Sequence, residues 1–124
     1  MLAVKTYSRA YVDAAERSFS ALLEALPEDS SAAVCNHLVL ALDRYFWHRK
    51  RSVEGGDSNP LNELRMISDG VAECGGVLMA DDTIDYSPDE SVLGIALGSE
   101  LALTRADLEK LAKSVFVELR YRFT

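Results

Sequence analysis

The sequence predicts a mainly helical domain, with four helices in an up-down, bundle-like order and a small β-hairpin or irregular arm inserted before the last helix. Three observations predict this class. Apolar residues recur at helical spacings of three and four in four separate stretches. Proline residues or glycine pairs separate these stretches, and a segment without helical periodicity precedes the last one. Because 124 residues is the length of one domain, we assign residues 1–124 to a single helical unit.

The first predicted helix covers residues 7–26. Thr6 or Ser8 can cap its N-terminus, and Pro27 ends it. Its core-facing residues recur at alternating spacings of three and four: Val12, Ala15, Phe19, Leu22 and Leu26.

The second predicted helix, over residues 31–51, is the one around which we expect the domain to form. Two apolar stripes run along it, one made of Cys35, Leu38, Leu42 and Tyr45 and the other of Val39 and Phe46. A helix with two apolar stripes needs two packing partners, so we expect neighbouring elements to enclose it. Its last turns are basic and aromatic, and we expect only this cationic end to face outward.

The third predicted helix covers residues 60–74. Asn59 is suited to its N-cap and Pro60 to its first turn. Gly70 in the helix interior costs about 1 kcal/mol relative to alanine, and a close crossing with another helix is the expected compensation. The buried stripe consists of Leu61, Leu64, Ile67 or Ser68, Val71 and Cys74.

Residues 77–103 form the predicted arm. Short apolar runs separated by turn residues favour short strands there, and we expect a β-hairpin over residues 84–97.

The last predicted helix covers residues 105–123 and has the best-defined start of the four. Thr104 is the expected N-cap, with Asp107 as its capping-box partner. Leu103 can pack on Leu108 as a hydrophobic staple.

The charge of the chain is unevenly distributed around a net charge of -7. Residues 66–100 contain eight acidic residues and no lysine or arginine, while residues 44–51 contain four basic residues and no acid. A negative mean field opposes nucleic-acid phosphates, so we expect no general nucleic-acid binding. No uncharged run approaches the ~20 apolar residues of a membrane span, and the first residues lack the apolar core of a signal peptide. We therefore expect a cytoplasmic protein without membrane contact.

The residue types used in metal and cofactor chemistry are sparse. On the predicted helix, His37 and His48 lie roughly 16 Å apart along the axis, too far to share an ion. Cys35 and Cys74 are isolated in the sequence, and we expect buried, reduced thiols. The chain has no P-loop, no G-x-G-x-x-G and no nucleophile elbow. We expect no metal, no cofactor and no complete set of catalytic residues.

The candidate site is the junction of the second and third predicted helices. If the third helix folds back along the second, the basic end of one meets the first turn of the other. The expected members are Arg44, His48, Arg51, Asn59, Asn62 and Glu63. Arginines beside a helix N-terminus can form an anion pocket, in which His48 and Glu63 can act as an acid-base pair. The alternative is structural, since basic residues also stabilise a helix C-terminus and Glu63 can simply neutralise an arginine.

Two resemblances bear on function. Arg44 and His48, separated by three residues, resemble the Arg-spacer-His element of HEPN-type ribonucleases, in which the spacer has four to six residues. That resemblance implies a weak ribonuclease activity. The phrases NHLVLALDRYF at residues 36–46 and NPLNE at residues 59–63 are similar to those of a family of small helical bacterial proteins with no assigned activity. The second resemblance implies no particular reaction.

Two hypotheses of function follow. The first is a non-enzymatic interaction or assembly protein that acts as a homo-oligomer, in the simplest case a homodimer. It is favoured by the excess of apolar stripes and by the basic segment 44–51, which can pair with the acidic segment 66–100 within or between chains. The alternative is a protein that binds a small anion or a phosphate ligand at the basic junction, extending to a weak HEPN-like ribonuclease.

Overall fold

The computed structural model describes residues 3–124, which form five α-helices and one 3₁₀ turn. The helices are α1 (Arg9–Ala25), α2 (Ala32–Arg44), α3 (Arg51–Glu54), α4 (Pro60–Glu73) and α5 (Arg105–Phe123), and the 3₁₀ turn is Pro88–Glu90. The predicted mainly helical class is confirmed. None of the helices in residues 3–124 has both the length and the apolar character needed to cross a membrane.

The last helix, α5, lies at the centre of the packing. It contacts each of the four other α-helices, whereas α1 packs chiefly on α5, and α4 packs on α2 and α5. Its buried side chains recur along its whole length: Leu108, Leu111, Ala112, Val115, Phe116, Leu119 and Phe123. The domain is therefore built around α5 and not around the helix predicted over residues 31–51.

The α2 helix is enclosed on one side only. Cys35, Val39 and Leu42 are fully buried, while Val34 and His37 are exposed. The expectation that neighbouring elements enclose this helix is wrong for its outer face. The reason is that α1 packs on α5 rather than across α2.

The second helix also ends at Arg44 rather than at Arg51. Residues 45–48 form turns, after which Val4 pairs with the chain in a parallel bridge. The Val4 amide donates to the His48 carbonyl at 2.7 Å, and its carbonyl accepts from the Lys50 amide at 2.8 Å. These bonds take the place of helical ones, and the short helix α3 follows.

The N-termini of α1, α4 and α5 are capped as predicted. Ser8 caps α1 by accepting from the amide of Tyr11, and Asn59 caps α4. At α5, Thr104 and Asp107 form the complete capping box. Each cap depends only on residues within a few positions of the helix start, which explains why the sequence predicts it.

The buried stripe of α1 departs from the prediction at its end. Val12, Ala15 and Phe19 are buried, and Leu23 follows in place of Leu22. Phe19 and Leu23 are one helical turn apart, so both face α5.

Residues 77–103 form an irregular arm without a sheet. The β-hairpin predicted over residues 84–97 is therefore wrong. An isolated antiparallel bridge between Val77 and Glu100 joins the two ends of the arm.

The hairpin fails because side chains satisfy the backbone groups that strand pairing would use. The amides of Val92 and Leu93 both donate to the carboxylate of Glu63 on α4. The hydroxyl of Tyr86 donates to the carbonyl of Ile95 at 2.5 Å. The arm is thus held in place by buried polar side chains.

Gly70 permits a close approach between α4 and the arm. A Cβ atom at this position would lie 2.7 Å from the carbonyl oxygen of Val77 and 2.9 Å from Cδ1 of Leu101. Gly70 does permit a close approach, but the prediction of a helix crossing is wrong, because the segment that comes close is the arm.

We expect Gly70→Ala to lower the free energy of unfolding by about 1–2 kcal/mol, measured by urea denaturation. Alanine gains about 1 kcal/mol in helix propensity, but overpacking against a backbone carbonyl costs more. The control is Ala72→Ser on the exposed side of the same helix, which should change stability by no more than about 0.5 kcal/mol. A stabilised Gly70→Ala variant would contradict the close packing.

Candidate functional site

The six predicted site residues lie in two different environments. Arg44 and His48 are exposed and line a shallow groove at the surface. The other four, Arg51, Asn59, Asn62 and Glu63, are buried or half-buried and are bonded inside the fold.

The surface groove has a volume of about 280 Å³ and is mainly aromatic. We call it the aromatic groove, and its lining residues are Val4, Tyr7, Tyr11, Arg44, Tyr45, Trp47 and His48. The rings of Tyr7 and Tyr11 are stacked, with centroids 5.7 Å apart. The guanidinium of Arg44 lies 5.5 Å from the ring centroid of Trp47, a cation-π distance. Trp47 is nevertheless 52% exposed.

The burial of Phe46 explains why its neighbours line a groove. Its ring is fully buried and packs edge-on against Tyr7 at 5.1 Å and Phe116 at 5.9 Å. Because α2 ends at Arg44, the residues that follow Phe46 leave the helical path, and Trp47 and His48 remain at the surface.

Tyr7 forms a wall of the groove and stays protonated at neutral pH. Burial raises the pKa of Tyr7 to about 12, against the opposing influence of Arg49. Its hydroxyl is buried and has no hydrogen-bond partner among the described residues. The ring therefore contributes surface to the groove and no acid-base group.

Arg51, Asn59 and Asn62 tie the α3–α4 connection together. Arg51 donates to Asn62 Oδ1 at 2.6 Å and to the Thr83 hydroxyl at 3.0 Å. Asn62 donates to two backbone carbonyls of the connection at 3.1 and 2.7 Å. Asn59 caps α4 and donates to the Glu54 carbonyl at 2.8 Å. The polar atoms that the sequence suggested for a ligand are used to fix this loop.

The carboxylate of Glu63 binds the arm instead of pairing with His48. Its carboxylate accepts from the amides of Val92 at 2.7 Å and Leu93 at 3.0 Å. Burial raises the pKa of Glu63, although these two amide bonds and Lys110 oppose the shift. Within the described residues, no hydrogen bond or ion pair joins Glu63 to His48.

The sequence did not reveal a buried ionic cluster between α2, α3 and α4. Glu54 is fully buried and faces three guanidinium groups, with Arg65 at 2.5 Å, Arg49 at 3.3 Å and Arg51 at 3.4 Å. Arg49 also pairs with the buried Asp43 at 2.7 Å. We call these five residues the ionic cluster, and Ser68 adds a hydrogen bond to Asp43 at 3.0 Å.

One signal could have pointed to this cluster. Asp43 follows Leu42 on the buried side of α2, and an acidic residue in that position needs a partner. Arg49 is only 4% exposed, so the expectation that the whole cationic end faces outward is wrong for this residue. Its guanidinium turns back to Asp43 because the helix has already ended.

The described residues offer little reactive chemistry. No group of three or more His, Cys, Asp and Glu side chains in residues 3–124 is arranged to hold a metal ion. Cys35 is buried and Cys74 half-buried, and neither forms a disulfide. The charged atoms of the ionic cluster face one another inside the fold, whereas Arg44, Trp47 and His48 of the aromatic groove are exposed.

Comparisons of the chain with protein-family models, with curated proteins and with solved structures found no match.

We expect Glu54→Ala to destabilise the protein by about 3–5 kcal/mol, because it leaves three buried or half-buried guanidinium groups without their shared anion. Urea denaturation measures the change. The control is Glu109→Ala, which removes an exposed ion pair with Arg105 and should cost no more than about 1 kcal/mol. Equal effects of the two substitutions would show that the cluster contributes nothing beyond a surface pair.

Glu63 and Asp81 should respond to pH in opposite directions. A carboxyl with a raised pKa in the folded state, such as Glu63, contributes stability at low pH and loses it as the pH rises through that pKa. The Thr83 hydroxyl and amide lower the pKa of Asp81. Its contribution is therefore present above the ordinary aspartate value and is lost as the pH falls.

We therefore expect the stability of the wild type relative to Glu63→Gln to decrease as the pH rises above 4.5, the ordinary value for glutamate. The stability relative to Asp81→Asn should instead decrease as the pH falls below 3.8. Urea denaturation over a pH series measures both differences. A difference for Glu63→Gln that does not vary with pH, or that varies with the opposite sign, would contradict the argument.

Proposed function

We propose that the protein is a non-enzymatic interaction protein that acts as a homo-oligomer, and that the aromatic groove is its docking surface. The observation that carries the proposal is the exposure of Trp47 and Tyr11 beside Arg44. Tryptophan, tyrosine and arginine are the residues most enriched at the energetic centres of protein interfaces. Half of the Trp47 side chain is exposed to water, and a partner would cover it.

The charge distribution supports association between copies. None of the eight acidic side chains of residues 66–100 forms an ion pair within residues 3–124. Arg44 and His48 likewise form none within that range. Opposite charges that remain unpaired within one chain can pair across an interface, where they favour the correct partner and speed encounter.

The surface area of the chain shows how large a fraction a stable interface would bury. A stable interface buries about 800 Å² on each partner, which is roughly one eighth of the 6770 Å² surface of this chain. The aromatic groove supplies the centre of such an area, and exposed residues around it must supply the rest.

The anion-binding alternative has weaker geometric support. It needs six polar residues around one pocket, and only Arg44 and His48 face an accessible groove. The polar atoms of the others are engaged in the α3–α4 connection and the arm. We therefore favour association over anion binding.

We expect the wild type to self-associate at micromolar concentration in sedimentation velocity, more strongly at low than at physiological salt. Trp47→Ala should raise the dissociation constant by about tenfold or more, because it removes a central anchor. Val117→Ala, an exposed apolar residue on α5, is the control and should leave association unchanged. A wild type that sediments as a monomer throughout this range at both salt concentrations would refute the proposal.

A further inference from the structure

We infer that the aromatic groove of one copy receives the acidic turn of a second copy, defined as residues 87–90. Pro88 would pack on the exposed rings of the groove, and Asp89 and Glu90 would face Arg44 and His48. This inference rests on the proposed self-association and names the two surfaces that meet.

The aromatic groove is lined by positively charged segments of a chain whose net charge is negative. Residues 3–12 and 44–53 contain no aspartate or glutamate, and they include every lining residue of the groove. Lys5 and Arg9 are exposed in the first of these segments, and Arg44 and His48 in the second. An occupant of this groove should therefore carry negative charge together with an apolar or ring-shaped group for the aromatic walls.

The acidic turn carries both features. Asp89 and Glu90 are exposed, and neither forms an ion pair within residues 3–124. Pro88 precedes them at the start of the 3₁₀ turn and is half-buried. Proline rings are well suited to aromatic-lined grooves, as in proteins that recognise proline-rich segments.

Other acidic residues of the arm lack this combination. Asp81 accepts from the amide and the hydroxyl of Thr83, at 2.8 and 2.6 Å, so its carboxylate is already engaged. Asp82 and Asp85 are exposed, but no proline adjoins them. Within the arm, only the acidic turn joins a proline to two exposed carboxylates.

The acidic turn is also held in shape before any partner arrives. The Ser91 hydroxyl donates to the Pro88 carbonyl at 2.8 Å, and the Glu90 amide donates to the Ser87 carbonyl at 3.1 Å. The Ser87 amide donates to the Ser58 hydroxyl at 3.2 Å, which fixes the turn to the body of the domain. A rigid turn loses little conformational entropy on docking, which favours binding.

The two surfaces are not joined within one chain. No hydrogen bond or ion pair among residues 3–124 links the acidic turn to the aromatic groove. Each copy therefore offers one groove and one turn, so two copies can pair reciprocally or several can join head to tail.

Charge reversal on each surface tests the inference. Arg44→Glu alone, and Asp89→Lys with Glu90→Lys, should each weaken self-association by about tenfold or more, because like charges then meet. Mixing the two variants should restore association. The reversed groove of the first variant can then meet the reversed turn of the second, and the native groove of the second can meet the native turn of the first. Sedimentation velocity at low salt measures the three samples, and circular dichroism verifies that both variants keep the helical content of the wild type.

The matched control is Asp82→Lys with Asp85→Lys, which makes the same change in net charge at exposed positions of the same arm that no proline adjoins. It should neither weaken association nor restore it when mixed with Arg44→Glu. If the wild type associates but the mixture of groove and turn variants does not, the inference is overturned and the proposed function stands. If the wild type is a monomer, the proposed function itself is refuted, and the inference falls with it.

Discussion

The fully buried carboxylate of Glu54 is the constraint on which the rest of the structure depends. A charge removed from water is tolerated only if opposite charges and hydrogen bonds compensate it, and the arginines of the ionic cluster provide this compensation. One of them, Arg49, also reaches back to Asp43, which requires the chain to leave the helical path after Arg44. The turn that follows, residues 45–48, carries Trp47 and His48, two of the exposed side chains of the aromatic groove. The surface proposed for association is thus a consequence of how a buried charge is satisfied.

Glu63 is a second buried carboxylate, and it fixes the position of the arm. Its carboxylate binds the amides of Val92 and Leu93, and a serine contact holds Ser87 on the other side of the 3₁₀ turn. The segment between these anchors is exposed, acidic and fixed in shape. A positive, aromatic surface and a negative one therefore both depend on buried polar groups, and they are the two surfaces that we propose meet between copies.

The features of the fold that could be predicted from the sequence are those that depend on residues close to one another along the chain. The capping box of Thr104 and Asp107 and the Asn59 cap are local signals, and the structure has both. The end of α2 could not be predicted in this way, because Arg49 finds its partners in Glu54 and in Asp43 only after the chain has turned. The β-hairpin failed for the same reason, since the amides of the arm are satisfied by a side chain from α4. For the candidate site, the sequence grouped six polar residues at one junction, but it could not distinguish those that hold the fold from those that face outward.

The central position of α5 has a consequence for how the chain folds as it is synthesised. α1 packs chiefly on α5, yet more than 70 residues separate the end of one from the start of the other. While the ribosome is still producing the intervening segments, the apolar face of α1, including Phe19, has no partner to cover it. Contacts so distant along the chain form late and leave nascent apolar surface open to aggregation or to chaperones. The core therefore closes only when the final helix has emerged from the exit tunnel.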